Sequence, residues 1–393
     1  MKQFLTAAVL LIAAAGAHAG ALDDAAMRIA SANPAVQAAK ARYDAELENA
    51  KAANILAGPE ADFDYKFNSR SGKPNRWGFS VGQSFDWPGV YGKRRQATGY
   101  RAKAYADLYR AELLDCAVQA KQALIAVAVA RHRVELLDEA VENIANLSEA
   151  YDNAFSHGEA TILDVSKLKL RRFAVANQLA AAEAWLEESE ARLKALGGDT
   201  SMVPGIVEVT ANTKLPALSH YQQLLEENDP VIAANANLIS ADAAEASATG
   251  RSLMPSFRLA YTHDYEDGTH FNGFSVGIGL PPWSGSAARK AAKATAIASE
   301  LSAADYTMKA NAQLISDYAR AVRLDRRVDD ARATFSSAEY PDILRKALDM
   351  RRITLFEYCN EYDSYLEARN AYLDLCAELA STVANLSRWE MRL

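Results

Sequence analysis

Hydrophobic and polar positions follow two different periods along this chain. Across residues 77–87 the odd positions are Trp77, Phe79, Val81, Gln83, Phe85 and Trp87, and the even positions are Gly78, Ser80, Gly82, Ser84 and Asp86. A period of two predicts a strand with one apolar face and one small, polar face. The preceding segment alternates in the same way, with Phe63, Tyr65 and Phe67 against Asp62, Asp64, Lys66 and Asn68. Phe257, Leu259 and Tyr261, then Phe274, Val276, Ile278 and Leu280 against Gly273, Ser275, Gly277 and Gly279, predict a second pair. Polar turns are expected at 69–75 and at about 266–272.

Elsewhere the period is helical. From about Gly92 to Phe155 there is no proline, and Val134, Leu137, Val141, Ile144, Ser148, Tyr151 and Phe155 recur at alternating steps of three and four. Leu179, Ala182, Leu186, Ser189, Leu193 and Leu196 continue the heptad after a break at 157–160. Tyr362, Tyr365, Arg369, Tyr372, Cys376, Leu379, Val383 and Leu386 repeat it near the C-terminus, after a break at 350–353. Such spacing predicts coiled-coil hairpins, and some 60 helical residues would extend roughly 90–95 Å.

The two patterns occur twice in one order. Asn33-Pro34-Ala35-Val36 returns as Asp229-Pro230-Val231-Ile232, Pro59 as Pro255, Gly78-Phe79-Ser80-Val81-Gly82 as 273–277, and Thr161-Ile162-Leu163-Asp164 as Thr354-Leu355-Phe356-Glu357. The chain therefore reads as a duplication. The first repeat is 20–199, with strands at about 59–69 and 76–88 and helices at about 92–157 and 161–197. The second is 200–393, with strands at about 255–265 and 272–281 and helices at about 285–350 and 354–390. A Gly/Pro-rich seam from Gly197 to Pro216 joins them.

Residues 1–19 differ from all of this. Lys2, the apolar run Phe4–Ala15 and Ala17-His18-Ala19 have the form of a secretory signal peptide, so the mature chain is expected to begin at Gly20. No later apolar run of 18 residues is evident, which leaves strands as the only candidates for spanning a membrane. Strands of this length with aromatic ends (Trp77, Trp87, Tyr65, Tyr261) and an apolar outer face fit a transmembrane barrel. Four strands cannot close one, and open edges are not tolerated in lipid. Two copies would supply eight strands and three would supply twelve; the small inner residues suit an open lumen and favour three.

Composition narrows the function. Lys+Arg 43 against Asp+Glu 50 gives a net charge of -7, which disfavours nucleic acid as a partner. Cys116, Cys359 and Cys376 all fall on helices, where buried free thiols are expected. No catalytic motif is evident, so neither an enzyme nor a bound cofactor is expected. His263 to His270 contains candidate ligands, but its spacing matches no zinc pattern and reads as an exposed turn between strands.

The signal peptide, duplicated order, paired strands and long helical hairpins together resemble the TolC family of outer-membrane efflux proteins. The corner Phe85-Asp86-Trp87-Pro88-Gly89 with Gly92-Lys93-Arg94, and the tip Tyr151, Gly158 and Thr161–Val165, are similar to the family's. The resemblance covers essentially the mature chain. It implies a mainly α chain with transmembrane β, a homotrimer in outer-membrane lipid with a twelve-stranded barrel, and a periplasmic helical tunnel. It also implies a periplasmic adaptor and an inner-membrane pump of RND or ABC type. By the tip motif, Glu357 falls at a constriction and Asp164 is its counterpart; facing carboxylates there would carry raised pKa values. Arg351 and Arg352 would tie the closed gate by ion pairs, and they stand where the family usually has a glycine. The expected function is efflux of small toxic molecules or metal ions. Polypeptide secretion is an alternative channel function, and a poreless periplasmic coiled-coil scaffold is the rival of a different class.

Overall fold

The computed structural model describes residues 21–52, 54–69, 74–205, 215–280, 285–335 and 340–391. The expected signal peptide, the middle of the first turn, most of the seam and residue 281 lie outside them. In chain order the helices are α1 (21–32) and α2 (Pro34–Ala52). Strands β1 (Glu60–Lys66) and β2 (Arg76–Phe85) follow, then helices α3 (Pro88–Ser156) and α4 (Ile162–Ala195). The second half contains α5 (Leu218–Asn228), α6 (Pro230–Arg251), β3 (Ser256–Glu266), β4 (Thr269–Gly279), α7 (Gly285–Phe335), α8 (Tyr340–Asp349) and α9 (Leu355–Leu386).

Of the expected helix over 285–350, α7 and α8 are described, and residues 336–339 between them lie outside the described residues. The two matching Asn-Pro and Asp-Pro pairs are helix starts. Asn33 Oδ1 accepts from the Ala35 N–H at 2.8 Å, and buried Asp229 accepts from Val231 and Ile232 at 2.8 and 3.0 Å. Each satisfies backbone donors that the first helical turn cannot pair internally.

The chain divides into two compact units. One gathers residues up to Gln37, Glu112–Asn228 and Asn311–Leu393. Its larger core joins Leu136, Ala140 and Leu147 of α3, Leu168 and Val175 of α4, Leu344 and Leu348 of α8, and Leu355, Tyr358, Tyr362, Leu366 and Leu373 of α9. The steps of three, four and seven are those of helix packing, but the buried stripe of α3 is wider than a coiled-coil seam. Leu136 and Ala140 are buried beside the expected Leu137 and Ile144, while the expected Phe155 is exposed. A second core packs Ala25, Ala26 and Ile29 of α1 on Ala120, Leu124 and Val127 of α3 and Leu193 of α4. One stretch of α3 corrects the expectation about apolar runs: it is long and apolar enough to cross a membrane, but it is 72% buried within the protein. Its apolar residues serve a helical core.

The other unit comprises Ala38–Ala111 and Asp229–Ala310 and contains the sheet. Its four strands lie in the order β1-β2-β3-β4, every neighbouring pair antiparallel. Strands from both halves of the sequence thus form one sheet, leaving β1 and β4 as its edges.

Candidate functional site

The residues singled out from the sequence fall in two regions: the sheet with its adjoining corner, and the two helix breaks. On the sheet, register fixes which side chains share a face. Phe63, Phe79, His263 and Asn272 form one row across the four strands, and Tyr65, Trp77, Tyr265 and His270 form the next. Phe85, Phe257 and Ile278 lie toward the other end of the same face. Phe63, Phe274, Val276 and Ile278 are 69%, 81%, 73% and 64% exposed. So large an apolar surface on a single chain marks contact with lipid or protein. Trp77 stacks on Tyr265 with ring centres 5.7 Å apart, and Trp87 lies 5.9 Å from Phe257. Of the four aromatics expected at the membrane interfaces, Tyr65 and Trp77 pair near the turn end of the sheet and Trp87 lies just beyond β2, whereas Tyr261 is mid-strand, opposite Val81 and Phe274. Tyr65 accepts a 3.0 Å bond from Asn75, and Tyr261 donates to Asn272.

The opposite face carries Asp62, Ser80, Gly82, Arg258, Thr262 and Gly277. Arg258 of β3 reaches over β2 to β1, where it pairs with Asp62 at 2.7 Å and Glu60 at 3.5 Å. Ser80 also donates to Asp62, at 3.1 Å. Gly82 makes this crossing possible: a Cβ there would lie 3.0 Å from Arg258 Nε and 2.7 Å from the Ala260 Cβ. Arg258 escaped the sequence reading because its partners lie two strands away.

The second hairpin turn is tighter than expected. Asp267 and Gly268, with φ of 51° and 79°, are its central residues, and pairing continues to Glu266 opposite Thr269. Both positive φ values match the twist of a two-residue hairpin. His263 and His270 are consequently strand residues rather than members of a wide loop.

At the end of the sheet, Asp86 pairs with Arg94 at 2.9 Å, and its N–H donates to the Tyr91 hydroxyl at 2.8 Å. Pro88 opens α3. The corner motif is thus a strand stop, a helix start and an ion pair that holds them.

The helix breaks have matching geometry. Gly158 (φ 77°) and Arg351 (φ 56°) both take the left-handed conformation. The next N–H in each case reaches back five residues, Glu159 to Ala154 and Arg352 to Ala347, both at 2.8 Å. This is the helix-ending motif in which glycine is favoured, and a side chain there costs about 1–2 kcal/mol. Arg351 bears that strain where the first break has glycine. Thr161 and Thr354 then cap the following helices, each with a reciprocal carboxylate three residues on. Asp164 Oδ2 accepts from the Thr161 N–H at 3.1 Å, and Glu357 Oε2 from the Thr354 N–H at 2.8 Å. The Thr354 backbone N–H, and then its hydroxyl, hold the Glu357 carboxyl below its usual range. That direction is opposite to the one expected of facing carboxylates. Lys167 lies 4.9 Å above the Phe356 ring, so the starts of α4 and α9 are neighbours. Among the described residues, neither Arg351 nor Arg352 pairs with Asp164 or Glu357; both arginines are exposed.

Sequence reasoning also missed a groove of about 350 Å³ in the helical unit, lined by Arg133, Arg171, Trp185, Asp363, Glu367 and Asp374 among others. Arg133 pairs with Asp374 and covers Trp185, 4.8 Å from its ring centre, while Arg171 pairs with Asp363. The charged partners come from helices far apart in sequence, so no local motif announces them. Cys116, Cys359 and Cys376 are free, and burial raises the pKa of each thiol.

Residues 27–199 match the family model described as outer membrane efflux protein. No curated protein matches the chain by sequence. Among solved structures, the Campylobacter jejuni CmeC outer membrane channel is similar at a TM-score of 0.76 and 15% identity, covering 94% of this chain and 85% of that one. A membrane protein from Pseudomonas aeruginosa gives 0.77 at 15% identity, covering 94% and 92%. The open state of the Neisseria gonorrhoeae MtrE outer membrane channel gives 0.64 at 17% identity, covering 94% and 88%. At these identities the likeness establishes the fold.

Proposed function

We propose that this chain, matched over residues 27–199 by the outer membrane efflux protein family model and similar over 94% of its length to the fold of an outer membrane channel, is the passive exit duct of a tripartite efflux system. It is an outer-membrane channel protein, not an enzyme. The observation that carries the proposal is the sheet: four strands, two open edges, one exposed apolar face and one polar face. Open edges are not tolerated in lipid, so copies must join edge to edge. Three copies give twelve strands, wide enough for an aqueous lumen. The helical unit would then line a periplasmic tunnel, met by an adaptor and an inner-membrane pump. Energy comes from the pump, and cargo consists of small toxic molecules or metal ions.

A strain lacking the protein, challenged with divalent metals and with organic toxicants, tests this reading. Sensitivity to either panel, restored by the gene in trans, supports efflux. Restored secretion of a polypeptide with no change in sensitivity would instead assign the channel to export.

In this reading Glu357 and Asp164 line the tunnel constriction, with Arg351 and Arg352 beside them. Glu357 would combine two tasks, using one carboxylate oxygen for the helix cap while its charge attracts cations in the lumen. Glu357→Gln separates them, since glutamine also completes a capping box. Cation block of single-channel current is expected to weaken several-fold at pH 7 with thermal stability retained. The charged cap contributes fully above the ordinary carboxylate range and is lost as pH falls through the lowered Glu357 pKa. Block in the wild type should therefore persist into acid beyond the usual carboxylate range. Unchanged block in Glu357→Gln would remove this residue from the gate.

A further inference from the structure

The tight turn at Asp267-Gly268 brings His263 and His270 together on the apolar face of the sheet. His263 Nε2 and His270 Nδ1 are 3.3 Å apart. Two imidazole nitrogens bound to one tetrahedral ion at about 2.0–2.1 Å would be separated by about 3.3–3.4 Å. The pair already has the spacing of a chelate.

A second contact prepares one of the two ligands. The Asn272 carbonyl oxygen accepts from the Tyr261 hydroxyl at 2.7 Å and faces His263 Nδ1 at 2.7 Å. A carbonyl can only accept, so His263 holds its proton on Nδ1 and presents the Nε2 lone pair to His270. A ring N–H donated to a fixed carbonyl is the outer support that orients metal-binding histidines. Phe79, stacked 5.2 Å from His263, and Tyr265, with its ring centre 4.9 Å from His270, flank the pair. Without metal, the His270 Nδ1–H donates to the His263 Nε2 lone pair at 3.3 Å; moving the His270 proton to Nε2 lets two lone pairs converge on one cation.

We propose that His263 and His270 form a two-imidazole site for one borderline divalent cation, Zn²⁺, Ni²⁺ or Cu²⁺, with water completing its coordination. Nitrogen donors alone disfavour Mg²⁺ and Ca²⁺, which require oxygen. Among the described residues no cluster of three or more His, Cys, Asp or Glu exists, so the site is a weak, exchangeable one at the strand ends. Bound metal would link β3 to β4 diagonally beside the turn. Since the site lies within one hairpin, it does not depend on the efflux assignment.

Cu²⁺ added to the untagged, detergent-solubilised full-length protein after chelator stripping provides the test. One equivalent is expected to bind with an electron-spin signature of two imidazole nitrogens. His270→Asn should reduce that signature to one nitrogen or none and weaken binding at least tenfold. Asn272→Leu, which keeps both imidazoles, should weaken binding by about 10-fold or more. Absence of a two-nitrogen signal in the wild type, or its survival in His270→Asn, would overturn the proposal. Equal affinity in the Asn272→Leu protein would refute the orienting role of Asn272.

Discussion

Phe79→Arg is expected to drive the protein out of the membrane-embedded state. Phe79 lies on the apolar face of β2, between Phe63 and His263 in register. It is 39% exposed in the single chain, and its aromatic neighbours leave no acid beside it on that face. An arginine facing lipid costs up to about 2–4 kcal/mol, the value at a barrel midplane, and less toward the interface, set against a total stability of about 5–15 kcal/mol for an ordinary domain. The cost recurs in every copy of a symmetric oligomer. Ser275→Arg adds the same charge to the opposite face of β4 and should be tolerated, because that face meets water in a barrel. Extraction by carbonate, compared for the two variants and the wild type, gives the result. A periplasmic scaffold would release all three proteins equally and would remove the barrel reading; retention of Ser275→Arg with loss of Phe79→Arg supports it.

The same strand shows what was legible in the sequence. Alternation of Trp77, Phe79, Val81 and Phe85 with small residues reports one apolar and one polar side, and the extended backbone converts that period directly into two faces. The breaks at Gly158 and Thr161 were also readable, since a left-handed glycine followed by a capping threonine is a local chemical signal. Arg351 carries no such signal, and its positive φ emerges only because the flanking hydrogen bonds match those around Gly158. His270 was misplaced for a different reason. Polar residues around Asp267-Gly268 looked like a wide loop, whereas the two positive φ values close the hairpin in two residues and extend both strands. Neither the wide buried stripe of α3 nor the Arg258 crossing can be read from one segment, because each depends on what packs opposite.

Gly82→Val is expected to change both folding and ion selectivity, by one cause. The small inner residues of β2 suit an open lumen, but the contacts give Gly82 a narrower requirement. Its missing side chain leaves the space through which Arg258 crosses to Asp62 and Glu60. The Ala260 Cβ, 2.7 Å from the position a Cβ would take, is fixed to the β3 backbone and cannot swing away. A valine must therefore push the strands apart or turn Arg258 out, and overpacking of this kind costs about 1–3 kcal/mol. Turning Arg258 out leaves Asp62 and Glu60 without their cation on the face that would line the pore. Two carboxylates per chain then act unopposed on passing ions. Arg258→Ala removes the cation without crowding the sheet. In bilayers under a salt gradient, both variants should shift the reversal potential toward greater cation selectivity, with Arg258→Ala folding as the wild type does. A shift confined to Gly82→Val would tie selectivity to strand distortion, and no shift in Arg258→Ala would place this ion pair away from the conduction path.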